Sequence, residues 1–368
     1  MLKRDRNKKN VFLKCILTNN LGDDLLISSL CARYKDINFI TLNCSKKSKL
    51  MLHNLSYINF NLFFYRVFRK ICSLFKVRCL IDTFFINKCD YTVTIGGSLF
   101  MEQNNNDELF NWYNKLSDYC IIGSNIGPVY TDTYITSLKN KVFKNADFVC
   151  LRDKKSYNYV YDLTNVNFAT DIVFSLDVNK YESVPKEKKV VFSLINVDKK
   201  SSQMKYPDSD GYINLICSLI SKFYKDGYKI QLMSFCSDEG DEETINQISN
   251  MFPDICVDKF FYNGNIEEAL ENLASSEIIV GTRFHANILG LLMNKKIIPI
   301  AYNDKTINFL NDIDFNGSII DINNLNEFKI DDLKYSTNKI DINKLKNCAN
   351  KHFCKLDEMF IGSKSKYE

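Results

Sequence analysis

Residues 275–310 read SSEIIVGTRFHANILGLLMNKKIIPIAYNDKTINFL. The run Glu277–Val280 is short, apolar and β-branched, and it stops at Gly281. Residues 284–294 then carry apolar side chains at helical spacing, and a second β-branched run follows at 297–300. Strand, helix and strand in this order form a βα unit, because two parallel strands need a crossover to connect them. The class is therefore α/β. Arg283 and His285 fall at the carboxyl end of a strand and in the first turn of a helix. Free backbone N–H groups and the helix dipole favour an anion there. An arginine grips a phosphate or carboxylate with two parallel hydrogen bonds, and a histidine moves a proton near neutral pH. After the second strand comes Ala301-Tyr302-Asn303-Asp304-Lys305, which delivers a lysine to the same end of the sheet. Ala286 and Gly290 are expected to serve close helix packing. The other histidines, His53 and His352, have no such neighbours and are expected to be structural.

Working outward, the same alternation runs through the chain. Strands are expected near 11–17, 37–42, 91–95, 119–123, 147–151 and 166–168, and again near 189–196, 228–234, 255–257, 277–280, 297–300 and 318–320. Helices are expected between them. The polar stretch 179–189, NKYESVPKEKK, is the expected linker. With 368 residues, and roughly 150 per domain, two domains follow. They are expected at 1–180 and 188–368, two doubly wound Rossmann-like domains facing each other across a cleft. The helical stretch 343–360 is counted with the second. Ligands in such sheets bind beyond the carboxyl ends of the strands.

Three loops of the first domain sit at such ends: Thr18-Asn19-Asn20-Leu21-Gly22-Asp23-Asp24, Gly96-Gly97-Ser98 and Ser124-Asn125-Ile126-Gly127-Pro128. Asn20 and Asp23 suit capping, and the glycines allow close backbone approach and can present N–H groups to a phosphate or sugar oxygen. Leu151-Arg152-Asp153 places a further arginine at a strand end. Neither dinucleotide nor P-loop glycine spacing occurs, so neither NAD nor a nucleoside triphosphate is indicated. Cys348, His352 and Cys354 crowd one helix without a zinc spacing, and no metal is expected.

Composition narrows the partners. Apolar residues make 45% and charged residues 25% of the chain, so it should fold. The net charge is only +4, which excludes the field of a dedicated nucleic-acid binder. The 13 cysteines include no C-x-x-C pair, and Cys15, Cys120, Cys150 and Cys256 lie in apolar runs where burial is expected. A reducing, cytoplasmic compartment fits that usage. The start, MLKRDRNKKN, does not lead into a signal peptide, and no apolar run reaches transmembrane length. Residues 58–85 interleave aromatics with Arg66, Arg69, Lys70, Lys76 and Arg78. This reads as a helix packed on the sheet, with peripheral contact to the inner face of a membrane as the alternative.

Taken in order, NNLGDDLL, TIGGSLFME, IGSNIGP, VCLRDKKS, ATDIVFSL and IIVGTRFHANILGLLMNKKIIPIAYNDKTINFL resemble the polysaccharide pyruvyl transferase family. The last block, with R-x-H, a small-residue helix and A-Y-x-x-K, is the most specific. The loop at 96–97 has two glycines where many members have more, and Asn125 stands where a small hydroxyl residue is common. The resemblance implies a GT-B-like fold and transfer of the pyruvate group of phosphoenolpyruvate to two sugar hydroxyls as a cyclic ketal, with no cofactor. It implies Arg152 and Arg283 as donor contacts and His285 as acid or base. Lys305 is expected as a third donor contact, and Asn20, Asp23, Gly97 and Ser98 on the acceptor side. Two other readings stay open: a glycosyltransferase using a nucleotide sugar, and a non-catalytic subunit of glycan assembly.

Overall fold

The computed structural model describes residues 8–43, 50–59, 63, 67, 70, 80–336 and 340–362. Thirteen strands form two all-parallel sheets among these residues. The first contains β1 (Asn10–Lys14), β2 (Asn38–Asn43), β3 (Leu55–Asn59), β4 (Tyr91–Ile95), β5 (Tyr119–Ser124), β6 (Phe148–Leu151) and β7 (Val166–Phe168), in the order β3-β2-β1-β4-β5-β6-β7. The second contains β8 (Lys189–Ser193), β9 (Lys229–Ser234), β10 (Val257–Phe261), β11 (Ile278–Gly281), β12 (Lys296–Ala301) and β13 (Ile320–Asp321), in the order β10-β9-β8-β11-β12-β13. Each begins at its middle, winds to one edge, and returns to build the other half. That is the doubly wound pattern, with its switch point between β1 and β4 in one sheet and between β8 and β11 in the other.

Continuous apolar runs form these strands because helices cover both faces of a parallel sheet. All five residues of β4, all six of β5 and all five of β8 are buried. On one face of the second sheet, Val190, Phe192, Ile230, Leu232, Ile278 and Val280 pack with Tyr212, Ile216, Leu219, Ile220 and Phe223. Those five lie along the helix Ser209–Lys225 at i, i+4, i+7, i+8 and i+11, one continuous stripe. Gly290 faces β12 so closely that a Cβ would lie 2.4 Å from Ile297 Cγ2, which explains that small residue.

The chain divides into two compact units, residues 1–17, 25–175 and 345–368 against residues 18–24 and 176–344. Three assignments differ from the sequence expectation. The stretch 179–189 is not a loose linker: Asn179–Tyr181 form a short helix, Tyr181 is buried, Lys180 pairs with Glu267, and Glu187 N–H donates to Ser275 O at 2.8 Å. The C-terminal helix, expected with the second domain, belongs to the first unit. Leu345, Ala349, Phe353 and Leu356 are buried, and Arg33 Nε and the Tyr34 hydroxyl donate to Asp357 Oδ1 at 2.8 and 2.7 Å. His352 lies fully buried between Gly123 N–H, which donates to its Nδ1 at 3.3 Å, and Thr170 O, which accepts from its Nε2 at 2.8 Å. Thr18–Asp24, finally, joins the second unit, for reasons given below.

β3 was not expected, since LSYIN is short and half polar; it pairs with β2 at the sheet edge. Cys120 and Cys150 are buried as expected, whereas Cys256 is exposed just before β10. Most of the basic aromatic segment 58–85, including Arg66, Arg69, Lys76 and Arg78, lies outside the described residues; Phe63 and Phe84 within it are exposed. No helix among the described residues is long and apolar enough to cross a membrane.

Candidate active site

In the first unit the switch point carries Gly96-Gly97-Ser98, directly after β4. Arg152, directly after β6, reaches this loop from beneath. Its guanidinium is buried and donates from Nη1 to Asp171 Oδ2 at 2.9 Å and from Nη2 to Asn125 Oδ1 at 2.7 Å. Gly97 lies against it, so a Cβ there would stand 2.9 Å from both Nη atoms. Asn125 N–H donates to Gly97 O at 2.9 Å, and Ser98 Oγ donates to Asn125 Oδ1 at 3.3 Å. Arg152 therefore ties the ends of β4, β5 and β7 together. Its charge is balanced by Asp171, itself fully buried. The guanidinium expected to grip an anionic donor is thus paired with Asp171 and Asn125 beside the glycine loop. Asp153 caps the following helix by accepting from Ser156 N–H at 2.7 Å.

In the second unit the switch point carries Gly281, the last residue of β11, followed by Thr282 and Arg283, and Arg283 N–H donates to Ser193 Oγ at the end of β8, 3.1 Å away. The Arg283 side chain turns inward. Its Nε donates to Asp241 Oδ2 at 3.0 Å, its Nη2 to Asp241 Oδ1, and its Nη1 to Glu239 Oε2. Glu239 also pairs with Lys200 at 2.6 Å. Burial pushes the Glu239 carboxyl up, but Arg283 and Lys200 outweigh it and hold it at about 2. Burial alone lowers the Arg283 pKa; Asp241 and Glu239 raise it beyond its ordinary value, so the guanidinium stays charged. Two cations and two carboxylates cancel, and this cluster offers an anion no net positive charge. The guanidinium expected to hold the donor is here paired with Asp241 and Glu239.

Asp241 has a second duty. Its Oδ2 accepts from Phe235 and Cys236 N–H, each at 2.9 Å, and so fixes the backbone just after β9. That backbone receives the segment Thr18–Asp24. Leu21 N–H donates to Phe235 O at 2.9 Å, and Asn20 forms an antiparallel bridge with Cys236. Asn20 caps the helix Leu21–Arg33: its Oδ1 accepts from Gly22 N–H at 2.9 Å, and its carbonyl from Asp24 N–H at 2.9 Å. Asn20, expected on the acceptor side, caps this helix, and Asp23 is half-buried in its first turn. Gly22 lies on the ring of His285, so that a Cβ would fall 1.9 Å from Nδ1. Two motifs far apart in sequence, N-N-L-G-D-D and T-R-F-H, meet here.

His285 stands in the first turn of the helix Phe284–Leu292, edge-on to Phe284 at 5.2 Å between ring centroids. Lys305, in the first turn of the helix Asp304–Asp312, has its Nζ 5.5 Å from the Phe284 ring and 5.7 Å from that of Tyr302. Lys305 and His285 therefore flank the same phenylalanine. Sequence reasoning missed Glu239, Asp241, Asp24 and Tyr262. The acid-rich run DEGDEE at 238–243, in the loop that follows β9 and the helix it leads into, was a signal for the first two; nothing local announced Tyr262, whose hydroxyl donates to Asp24 Oδ2 at 2.7 Å.

The chain carries a glycine loop at the switch point of one Rossmann-like sheet and an R-x-H turn at the switch point of the other. The model of the polysaccharide pyruvyl transferase family matches residues 20–304, and the chain belongs to that family. No curated protein matches the sequence. The UDP-GlcNAc 2-epimerase of Methanocaldococcus jannaschii, solved with UDP-GlcNAc and UDP, is 12% identical over 95% of this chain and 99% of its own, with a TM-score of 0.51. Anabaena HepE, solved with UDP and glucose, is 12% identical over 97% and 93%, with a TM-score of 0.48. An uncharacterised protein of Klebsiella pneumoniae is 16% identical over 84% and 90%, with a TM-score of 0.44. The likeness to the epimerase is one of fold alone, the Rossmann-like α/β architecture.

Proposed function

We propose that this protein transfers the pyruvate group of phosphoenolpyruvate to two hydroxyls of one sugar, in a polysaccharide or its lipid-linked precursor, forming a cyclic ketal and releasing phosphate. The observation that carries this reading is the R-x-H turn inside a family match spanning residues 20–304. In the proposed reaction His285 protonates the methylene carbon of phosphoenolpyruvate, making C2 electrophilic. The first sugar hydroxyl adds to C2 and loses its proton, the C2–O bond to phosphate breaks, and the second hydroxyl closes the ring. Of the two hydroxyl protons, one balances the proton placed on the methyl group and the other leaves with phosphate. Lys305 and the N–H groups opening the helix Phe284–Leu292 are the proposed contacts for the donor's charge. Gly97 and Ser98 remain the proposed acceptor contacts, at the switch point of their own sheet.

Purified protein incubated with phosphoenolpyruvate and a panel of galactosides, mannosides and N-acetylhexosamines is expected to yield phosphate and a pyruvate ketal with at least one acceptor. His285→Ala should abolish that turnover. A thermal shift with UDP-sugars but none with phosphoenolpyruvate would instead assign the chain to nucleotide-sugar chemistry.

A further inference from the structure

We propose that the Thr18–Asp24 segment is the seat of His285, with Gly22 and Asp24 as positioning residues for the proton transfer; this rests on the reading of His285 given above. The contact that carries it is steric. A Cβ on Gly22 would lie 1.9 Å from Nδ1, 2.7 Å from Cε1 and 2.9 Å from Cγ of His285, so only glycine is compatible with this ring orientation. Orientation matters because the two imidazole nitrogens lie on different sides of the ring, and one of them must face the reacting carbon.

The seat is fastened at both ends. At Asn20 and Leu21 it is held by the backbone of Phe235 and Cys236, which Asp241 fixes while it pairs with Arg283. Arg283 precedes His285 by two residues, so the hydrogen bonds that leave the R-x-H turn end on the segment whose Gly22 packs against His285. At the other end Asp24 is fully buried, with Oδ2 accepting from the Tyr262 hydroxyl and Oδ1 without a hydrogen-bond partner. An ionised oxygen in that position is costly and a protonated carboxyl much less so. The groups bearing on Asp24 are Tyr262, from the loop after β10, and Asp23, its helix neighbour. Burial pushes the Asp24 carboxyl up to about 7, Tyr262 draws it down and Asp23 adds to the rise. As pH climbs through neutrality Asp24 ionises in a dry site, and the fastening of the seat weakens.

The test uses the full chain with 15N-labelled histidine, His285→Ala serving to assign the ring signals. In Gly22→Ala both ring-nitrogen shifts of His285 should move, and kcat should fall about 100-fold, the scale of an ångström-sized misplacement. KM for phosphoenolpyruvate should stay near its original value. In Asp24→Asn, which keeps the shape and the acceptor for Tyr262, both ring-nitrogen shifts of His285 should move at pH 8, where the unaltered Asp24 is ionised. Ring signals of folded Gly22→Ala that superimpose on the original would overturn the proposal. If that variant does not fold, His285 ring signals of Asp24→Asn that superimpose on the original at pH 8 overturn it instead. Failure to turn over phosphoenolpyruvate would strike the reaction, while the ring signals would still decide the seat.

Discussion

Arg283 shows why a side chain's charge and its duty are separate questions. Its sequence position, at a strand end before a helix, marked it as an anion contact, and that position is where the structure has it. What sequence did not reveal is that Asp241, 42 residues earlier, meets the guanidinium in a buried bidentate pair. Arg283→Ala would leave the Asp241 carboxylate buried without its counter-ion. A loss of about 3–5 kcal/mol in urea unfolding is expected. Lysine should not restore it, because a single ammonium cannot make the two parallel bonds. A loss under about 1 kcal/mol would mean the pair does not hold this region. Asp24 makes a second prediction. Its carboxyl pKa is raised in the folded chain, so its stabilising contribution is full below the unfolded value near 3.8 and is lost as pH rises through about 7. Asp24→Asn has no such loss. The stability of the unaltered protein relative to Asp24→Asn should therefore fall between pH 4 and pH 8. A flat difference in unfolding free energy across that range would refute it.

Elements were more legible than residues. The alternation of strands and helices could be read because strands buried on both faces are mostly apolar, and β4, β5 and β8 are buried along their whole length. The βα turns were legible for the same reason, since glycine, asparagine and arginine interrupt those runs sharply. β3 was not, because an edge strand of five residues has too little buried surface to mark its sequence. The C-terminal helix was legible as a helix, and its side of the molecule was not, since an apolar stripe does not say which surface it covers. Its anchor gives a third prediction. Burial lowers the His352 pKa from 6.5 to about 4, against the opposing pull of Asp171 and the Thr170 carbonyl. With the folded value depressed, the contribution is present above pH 6.5 and disappears as pH falls through 4. The stability gap between the unaltered protein and His352→Gln should narrow over that window. Unfolding curves whose separation is the same at pH 7 and pH 4 would count against it. At the first glycine loop, Gly97→Ala forces a Cβ into the Arg152 guanidinium. A destabilisation of about 1–3 kcal/mol is expected from that overpacking, read by thermal or urea unfolding, and none if the loop simply shifts.

For the molecule as a whole, two Rossmann-like units were expected and two are present, yet neither is one uninterrupted piece of chain. The backbone passes from one unit to the other at 17/18, 24/25, 175/176 and 344/345. One of these passages falls inside the helix Leu21–Arg33. Sequence favoured a single boundary because polar, proline-bearing stretches are the ordinary mark of a domain edge, and 179–189 is such a stretch between two apolar runs. A fragment of residues 1–175 is expected to be insoluble on its own, since the surface that receives Leu345, Ala349, Phe353 and Leu356 would be left bare. Co-expression with residues 340–362 should recover it. Soluble, cooperatively unfolding 1–175 without that helix would disprove the assignment.

The same threading sets a calendar for biosynthesis. The unit built from 18–24 and 176–344 has all its pieces once residue 344 has left the ribosome, whereas the unit that begins earlier in the chain must wait for residues beyond 345. At about 5–20 residues per second, the 169 residues between 176 and 344 occupy on the order of ten seconds or more. Throughout that interval the first sheet is fully synthesised and still lacks its closing helix, so the half of the protein translated first is the half that finishes last.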